Sequence, residues 1–333
     1  MTSKKTLAGS LLSLSTGLLL VVSAIGGATA SSATSQDLTQ LQVASTPVSS
    51  LQGYWTPERM RAALPGDVLA AKVVDRQDNT GASSPAAAET GALTRFAGTA
   101  PQTTATTALH SSETPVSHVG KVFFTLGGIN YVCSGNSIAA QNDSLVATAG
   151  HCVNEGPGAF AKNWVFVPGY INGKAPYGQW AAKSLHAPRN WTSGGDIRYD
   201  TGFAVVARVG GKTLADVVGA SGVEFNQPRG MAYKSYGYPA AAPFTGQTLV
   251  SCKGTAHNDS INPQFNSQGI SCDMTGGSSG GPWFAQADTN AVSGADGFQN
   301  SINSYGYGTS STTMFGPYWG STIMKVYNYA QNK

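Results

Sequence analysis

Cys272-Asp273-Met274-Thr275-Gly276-Gly277-Ser278-Ser279-Gly280-Gly281-Pro282 runs directly into Trp283-Phe284-Ala285. A serine pair flanked on both sides by glycines, opening onto a short apolar run, is a tight turn that ends in a strand. Such glycines let backbone N–H groups converge on one point, which is what a developing oxyanion needs. A hydroxyl is a weak nucleophile until a base takes its proton. The turn therefore calls for a histidine titrating near neutrality and a carboxylate to fix its tautomer. The chain carries both. The apolar run Leu145-Val146-Ala147-Thr148 leads into Ala149-Gly150-His151-Cys152, and Tyr199-Asp200 leads into a second apolar run at 202–207.

Outward from these stretches, short apolar runs recur between Gly, Asn and Pro punctuation, at 121–126, 129–133, 145–148, 164–167, 202–207, 231–236, 247–253, 269–272 and 282–285. Many short strands broken by turn residues predict an all-β sandwich or barrel, not alternating strands and helices. The C-terminus departs from this pattern. Ile323, Val326, Tyr327 and Ala330 fall on one face of a terminal helix.

At these residues the chain resembles the trypsin/chymotrypsin-like serine peptidases. The likeness rests on Thr148-Ala149-Gly150-His151-Cys152 and Gly277-Ser278-Ser279-Gly280-Gly281-Pro282, in the order His, Asp, Ser. The texture is nearest the bacterial branch that contains glutamyl endopeptidases, where a Tyr-Asp pair and an Asp opening the glycine-rich turn also occur. The resemblance covers residues 119–333, within the usual boundary error. It implies an all-β fold of two six-stranded antiparallel β-barrels (chymotrypsin-like) with a C-terminal helix, and a site in the cleft between the barrels. It further implies Ser279 as nucleophile, His151 as general base and acid, and Asp200 as the group orienting His151. The backbone N–H groups of Gly277 and Ser279 would form the oxyanion hole. It pairs Cys133 with Cys152 and Cys252 with Cys272; the cysteine count alone leaves three pairings open.

Two positions have rivals. Ser278 is a second hydroxyl in the turn, although Ser279 has the Gly-x-Ser-Gly-Gly-Pro framing. Asp196 competes with Asp200, but follows Ser193-Gly194-Gly195 in what reads as a loop, whereas Asp200 adjoins a strand start. Ser278 also stands where the digestive branch carries an Asp that pairs with a freed N-terminus, so activation is expected to take another route. The resemblance assigns Asp273 and the run Asn303-Ser304-Tyr305-Gly306 to the primary specificity pocket. Glutamate-specific relatives carry a histidine where Asn303 stands, and an Asn offers hydrogen bonds without charge. The expected preference is therefore small, polar or mixed first, glutamate second and basic third. Two other functions compete with that of a secreted serine endopeptidase. One is a catalytically inactive relative serving as a secreted binding protein, disfavoured because both Ser and His are kept. The other is an esterase of α/β-hydrolase type, whose chain order is Ser, Asp, His.

The chain has 333 residues, 41% apolar but only 11% charged, against roughly 25% in average soluble proteins. Ser, Thr, Asn, Gln and Gly must then keep the surface wet, as in many exported proteins. A net charge of +3 without a basic run beyond Lys4-Lys5 excludes a nucleic-acid footprint. Lys4-Lys5, an apolar stretch through Val22 and Ala28-Thr29-Ala30 read as a secretory signal peptide cut after Ala30, with no membrane association after cleavage. Residues 31–117 hold no cysteine and are rich in Ser, Thr, Ala and Gln. They read as a pro-segment with one folded piece, a short helix capped by Thr56 with Pro57 at its first position. The peptidase domain follows at 118–333, its N-terminal barrel at 118–212 and its C-terminal barrel plus terminal helix at 213–333. Polypeptide substrates, no cofactor, no metal, a monomer, and a secreted, extracellular location complete the expectation.

Overall fold

The computed structural model describes residues 1–2, 39–43, 51, 53–80, 89, 91–98, 110–285, 297–308 and 310–333. The proposed signal peptide lies almost wholly outside the described residues. The chain divides into Met1–Ser32 and Ala33–Lys333, and every strand and helix from β1 onward belongs to the second unit.

The N-terminal segment of that unit contains β1 (Thr39–Val43), α1 (Pro57–Ala62), β2 (Leu64–Pro65), α2 (Asp67–Thr80) and β3 (Thr94–Phe96). Helix α1 forms as its sequence predicts, with the Thr56 hydroxyl accepting from the Arg59 N–H at 3.3 Å and Pro57 in the first turn. Helix α2 goes beyond the sequence expectation, although its signal is present. Asp67 lies in the first turn, and Leu69, Ala70, Val73 and Val74 make a buried stripe at helical spacing. Sequence patterning expects one folded piece here; the segment holds several.

After β4 (Ser111–Glu113) come β5 (Val119–Leu126), β6 (Ile129–Ile138), β7 (Leu145–Thr148), β8 (Lys162–Pro168), β9 (Trp180–Pro188) and β10 (Gly202–Val206). The antiparallel ladder runs β9-β10-β7-β6-β5-β8, and β8 pairs back onto β9, closing a six-stranded barrel. The β8–β9 pairing covers only Trp180 and Ala181, so among these six strands the rest of that edge of β9 stays open beyond the closure. The loops between them carry η1 (Gly150–Cys152), α3 (Arg189–Thr192) and η2 (Ile197–Tyr199). Helix α4 (Leu214–Val218) then leads out of the barrel, started by a reciprocal capping box between Thr213 and Asp216.

The second half contains β11 (Gly222–Phe225), β12 (Ala232–Gly237), β13 (Leu249–Thr255), β14 (His257–Asn258), β15 (Gln268–Ser271), β16 (Pro282–Ala285), β17 (Phe298–Ile302), β18 (Thr313–Gly316) and α5 (Ser321–Ala330). It is hydrogen-bonded as a seven-stranded sheet, β3-β11-β17-β16-β12-β13-β4, and a three-stranded sheet, β14-β15-β18. This differs in detail from a second closed ring, because β13 packs beside β15 without a ladder between them. The Cys252–Cys272 disulfide, from β13 to the residue after β15, joins the two sheets covalently there. Helix α5 buries Ile323, Val326, Tyr327 and Ala330, as the periodicity requires.

The N-terminal segment has no separate core. Strand β1 adds to the edge of β9, β2 runs parallel to β6, and β3 adds antiparallel to β11. Leu51, Trp55, Met60 and Ala63 enter a cluster with Val119, Phe123 and Val132 of the barrel and Tyr236, Leu249 and Phe284 of the second half. Trp55 is 1% exposed and donates its indole N–H to the Asn163 carbonyl at 2.6 Å. At that level of burial the ring stabilises the docked segment by about 3 kcal/mol.

Candidate active site

His151 sits in η1, immediately after β7, and the Cys133–Cys152 disulfide ties that turn to β6. Asp200 follows η2 at the entry to β10, whose antiparallel pairing with β7 brings Gly202 opposite Thr148. The two groups therefore meet because adjacent strands carry them. The His151 Nδ1 lies 2.8 Å from Asp200 Oδ2, and the His151 backbone N–H donates to Asp200 Oδ1 at 2.7 Å. The Ser304 hydroxyl donates to Asp200 Oδ2 at 2.6 Å. Three donors thus hold a carboxylate with no exposed surface. The other ring nitrogen, His151 Nε2, is buried and has no hydrogen-bond partner among the described residues.

Asp196 does not face the histidine. It caps η2 through the Arg198 N–H, and its carboxylate is gripped by the Arg198 guanidinium at 2.6–3.0 Å. Arg198 is correspondingly held above its ordinary range, chiefly by its hydrogen bonds to Asp196.

The serine turn is fastened from the barrel side. Ser134, the residue after Cys133, donates its N–H to the Ser279 carbonyl at 2.7 Å and its hydroxyl to the Gly277 carbonyl at 2.9 Å, while accepting from the Tyr238 N–H. These bonds fix the 277–278 and 279–280 peptide groups, which flank the 278–279 peptide that carries the Ser279 N–H. In the turn, the N–H groups of Ser278, Gly280 and Gly281 donate to the carbonyls of Thr275, Asn303 and Ser278. The N–H groups of Gly277 and Ser279 donate to no described residue. Gly277 has φ +96°, outside the range a side chain tolerates without strain. The two serines differ in their engagement. The Ser278 hydroxyl donates to the Thr275 carbonyl at 2.8 Å, whereas the Ser279 hydroxyl has no hydrogen-bond partner among the described residues. Ser134 gave no sequence signal, because a serine in a strand looks like ordinary surface polarity.

The residues expected to line a specificity pocket are mostly committed internally. Asn303 is fully buried. Its Oδ1 accepts from Ser235 and from the Trp283 indole, and its Nδ2 donates to the carbonyls of Tyr236 and Ser278. It braces the turn and has no spare group for a ligand. Ser304 is spent on Asp200. The Tyr305 hydroxyl donates to Asp259 at 2.8 Å, and burial beside that carboxylate pushes the phenol well up. Gly306 is exposed. Asp273 is half-buried and pairs with His110 Nδ1 at 2.9 Å.

Among the described residues, one trio offers clustered metal-ligand atoms: Cys133, His151 and Cys152, mutually within 4.8 Å. Both sulfurs are bonded to each other, so the trio is not a thiolate ligand set. No described helix is long and apolar enough to cross a membrane.

No family model matches the chain. A solved protease from Arthrobacter nicotinovorans, called Anisep, is 62% identical, with a TM-score of 0.64, over 67% of this chain and 100% of its own. A thermostable serine protease, AL20, from an extremophilic microorganism is 50% identical, with a TM-score of 0.61, over 66% of this chain and 98% of its own. A Glu endopeptidase shares the fold at 19% identity and a TM-score of 0.52, over 67% of this chain and 97% of its own. Among curated proteins, an "Extracellular metalloprotease" of Bacillus subtilis (strain 168) is 27% identical over 114 residues, which are 34% of this chain. The match spans 35% of that protein's length.

Proposed function

The chain belongs to the trypsin/chymotrypsin-like serine peptidases, and on that premise we propose that it is a secreted endopeptidase acting through an acyl-enzyme. Ser279 is the nucleophile, His151 the general base and then acid, and Asp200 the group that fixes the histidine tautomer. The observation that carries this reading is the His151–Asp200 contact at 2.8 Å with the opposite nitrogen unspent beside a turn whose Gly277 and Ser279 N–H groups are also unspent.

Asp200 accepts from Nδ1, so the proton-accepting lone pair is on Nε2. That nitrogen takes the Ser279 proton as Oγ attacks the substrate carbonyl. The carbonyl oxygen becomes an oxyanion, which the Gly277 and Ser279 N–H groups stabilise. Imidazolium then donates to the leaving amine, and a water repeats the sequence to release the acyl group. The substrates are polypeptides. With Asn303 spent on the scaffold, no charged group from that position selects glutamate, and a small, polar or mixed preference is favoured.

Residues 1–30 are a signal peptide directing export, and 31–117 a pro-segment that assists folding and closes the cleft until it is removed. A chain expressed without 31–117 should fold slowly or in low yield; normal folding would refute the assisting role. An organophosphonate probe followed by peptide mapping tests the main reading. Label is expected on Ser279 of the processed protein and should vanish in His151→Ala. An unlabelled processed protein would instead make the chain a secreted binding protein.

A further inference from the structure

A peptide substrate must reach Ser279 and His151, yet Ser279 is 3% exposed and His151 fully buried. The N-terminal segment lies over them. Gly66 donates its N–H to the Val132 carbonyl at 2.9 Å, and a Cβ at this position would stand 2.6 Å from Cys133 Sγ. The chain can pass this close to the disulfide only because residue 66 has no side chain. The Asp67 carboxylate fills the space where a Cβ on Gly276 would stand, at the start of the serine turn. Its Oδ1 is buried without a hydrogen-bond partner among the described residues. Burial pushes this carboxyl up from the usual range, and the neighbouring His151 pulls against the shift. Helix α2 then crosses η1 and η2, the two turns that carry His151 and lead into Asp200.

The far end of α2 is held by backbone groups. Arg76 donates to the Gly156 carbonyl at 3.2 Å. The Gln77 side-chain amide donates to the Gly195 carbonyl at 3.1 Å and accepts from the Ile197 N–H at 3.4 Å. One amide that both donates to Gly195 and accepts from Ile197, alternate residues of one backbone stretch, imitates the peptide group of an added strand. By contrast, the stretch 51–63 sets Leu51, Trp55, Met60 and Ala63 into the apolar cluster between the two halves, with hydrogen bonds from Tyr54 and Trp55 at its margin.

We propose that the cleft's built-in ligand is residues 66–77 of this chain, an inhibitor seated on the serine turn and the 195–197 backbone, and that it is functionally separate from residues 51–63, which wedge the two halves together. The inference rests on Ser279 and His151 being the reacting groups. It assigns blocking to one short piece and folding assistance to another, and implies that cutting the chain beyond residue 98 does not by itself open the cleft.

The test follows fluorophosphonate labelling of freshly folded precursor and of processed protein, which differ in mass and are resolved in one gel lane. Wild-type precursor should label at least about tenfold more slowly than processed protein. Arg76→Ala with Gln77→Ala should speed labelling of the precursor about tenfold, each lost polar contact counting for a factor of a few. Gly66→Leu should speed it further, and in each variant the processed protein should label at the wild-type rate. Trp55→Ala should lower the folded yield without the specific gain in precursor labelling. If Gly66→Leu fails to fold, the Arg76/Gln77 pair of substitutions still decides the matter. Precursor labelling as fast as processed protein would overturn the inference, as would Trp55→Ala matching the Arg76/Gln77 double variant in both readouts. Absence of label on the processed protein would sink the Ser279 reading first, and this inference with it.

Discussion

The body of the molecule from β5 onward and the N-terminal segment from β1 to β3 are ordered by different means. The body has a closed barrel, a buried cluster around Val250, Ile270 and Trp283 that is entirely its own, and two disulfides that each span a short loop. The segment has no cysteine, and its buried side chains touch chiefly the body. Its strands are additions to edges that β9 and β11 already present. Arg95 of β3 even supplies the cation for Glu224, a carboxylate 1% exposed in the body. Structure in the segment is thus conditional on the body, as in a bound peptide. That is the physical form a removable piece should take, since it can leave without dismantling a core of its own.

All three proposed catalytic groups lie in the body. Ser279→Ala or His151→Ala should lower kcat of the processed protein by on the order of 10⁵-fold or more, and Asp200→Asn by about 10⁴-fold. Steady-state hydrolysis of a peptide substrate measures this, and near-normal turnover in any of the three would disprove the triad. The comparison breaks if order in the segment is not conditional. Trp55→Ala should weaken the packing of residues 51–63 against the body by about 3–5 kcal/mol, leaving 66–77 seated, seen as a lower melting temperature of a Ser279→Ala precursor. Protein processed from active Trp55→Ala chains should melt like the wild type.

Smaller effects sharpen the body side. Replacing Cys252 and Cys272 by alanine frees the two sheets at a place without a ladder, and should cost about 3 kcal/mol in denaturant unfolding. Ser134→Ala removes the hydroxyl bond to the Gly277 carbonyl. It should lower kcat about tenfold with KM nearly unchanged, because it loosens the turn that carries the proposed oxyanion donors.

The smallest expected effect depends on pH. Lys121 is 2% exposed, donates to the Gly246 carbonyl at 2.9 Å, and is pushed down by burial to about 7. Between about pH 7 and 10.5 the unfolded chain binds a proton at this site that the folded one does not. Wild-type stability therefore rises with pH across that window, and the full cost of a buried ammonium is present below it. Lys121→Met should gain about 1–2 kcal/mol at pH 6, net of the lost hydrogen bond, and the gain should shrink toward pH 10. Thermal melts at several pH values check this, and a gain independent of pH would contradict it.

The fold class was legible in the sequence alone, as were the residues proposed for the chemistry. The turn 276–282, the His151 stretch and Tyr199-Asp200 are legible because each function imposes residue types at contiguous positions. Alternating short apolar runs likewise betray strands, and helices α1 and α5 show their caps and stripes. The tertiary structure decided what depends on distant partners. Whether Asp196 or Asp200 faces His151 is settled by the pairing of β10 with β7, which no local pattern encodes. Strands β9 and β17 carry weak local signals, and β17 buries Gln299, Asn300 and Ser301 because neighbouring strands cover them. Ser134, Asn303 and Ser304 acquire their roles from hydrogen bonds that cross long stretches of chain. The same holds for residues 66–77. Nothing in Gly66-Asp67 announces a cleft ligand until the fold brings a disulfide and a glycine turn close enough to leave room for just those two residues.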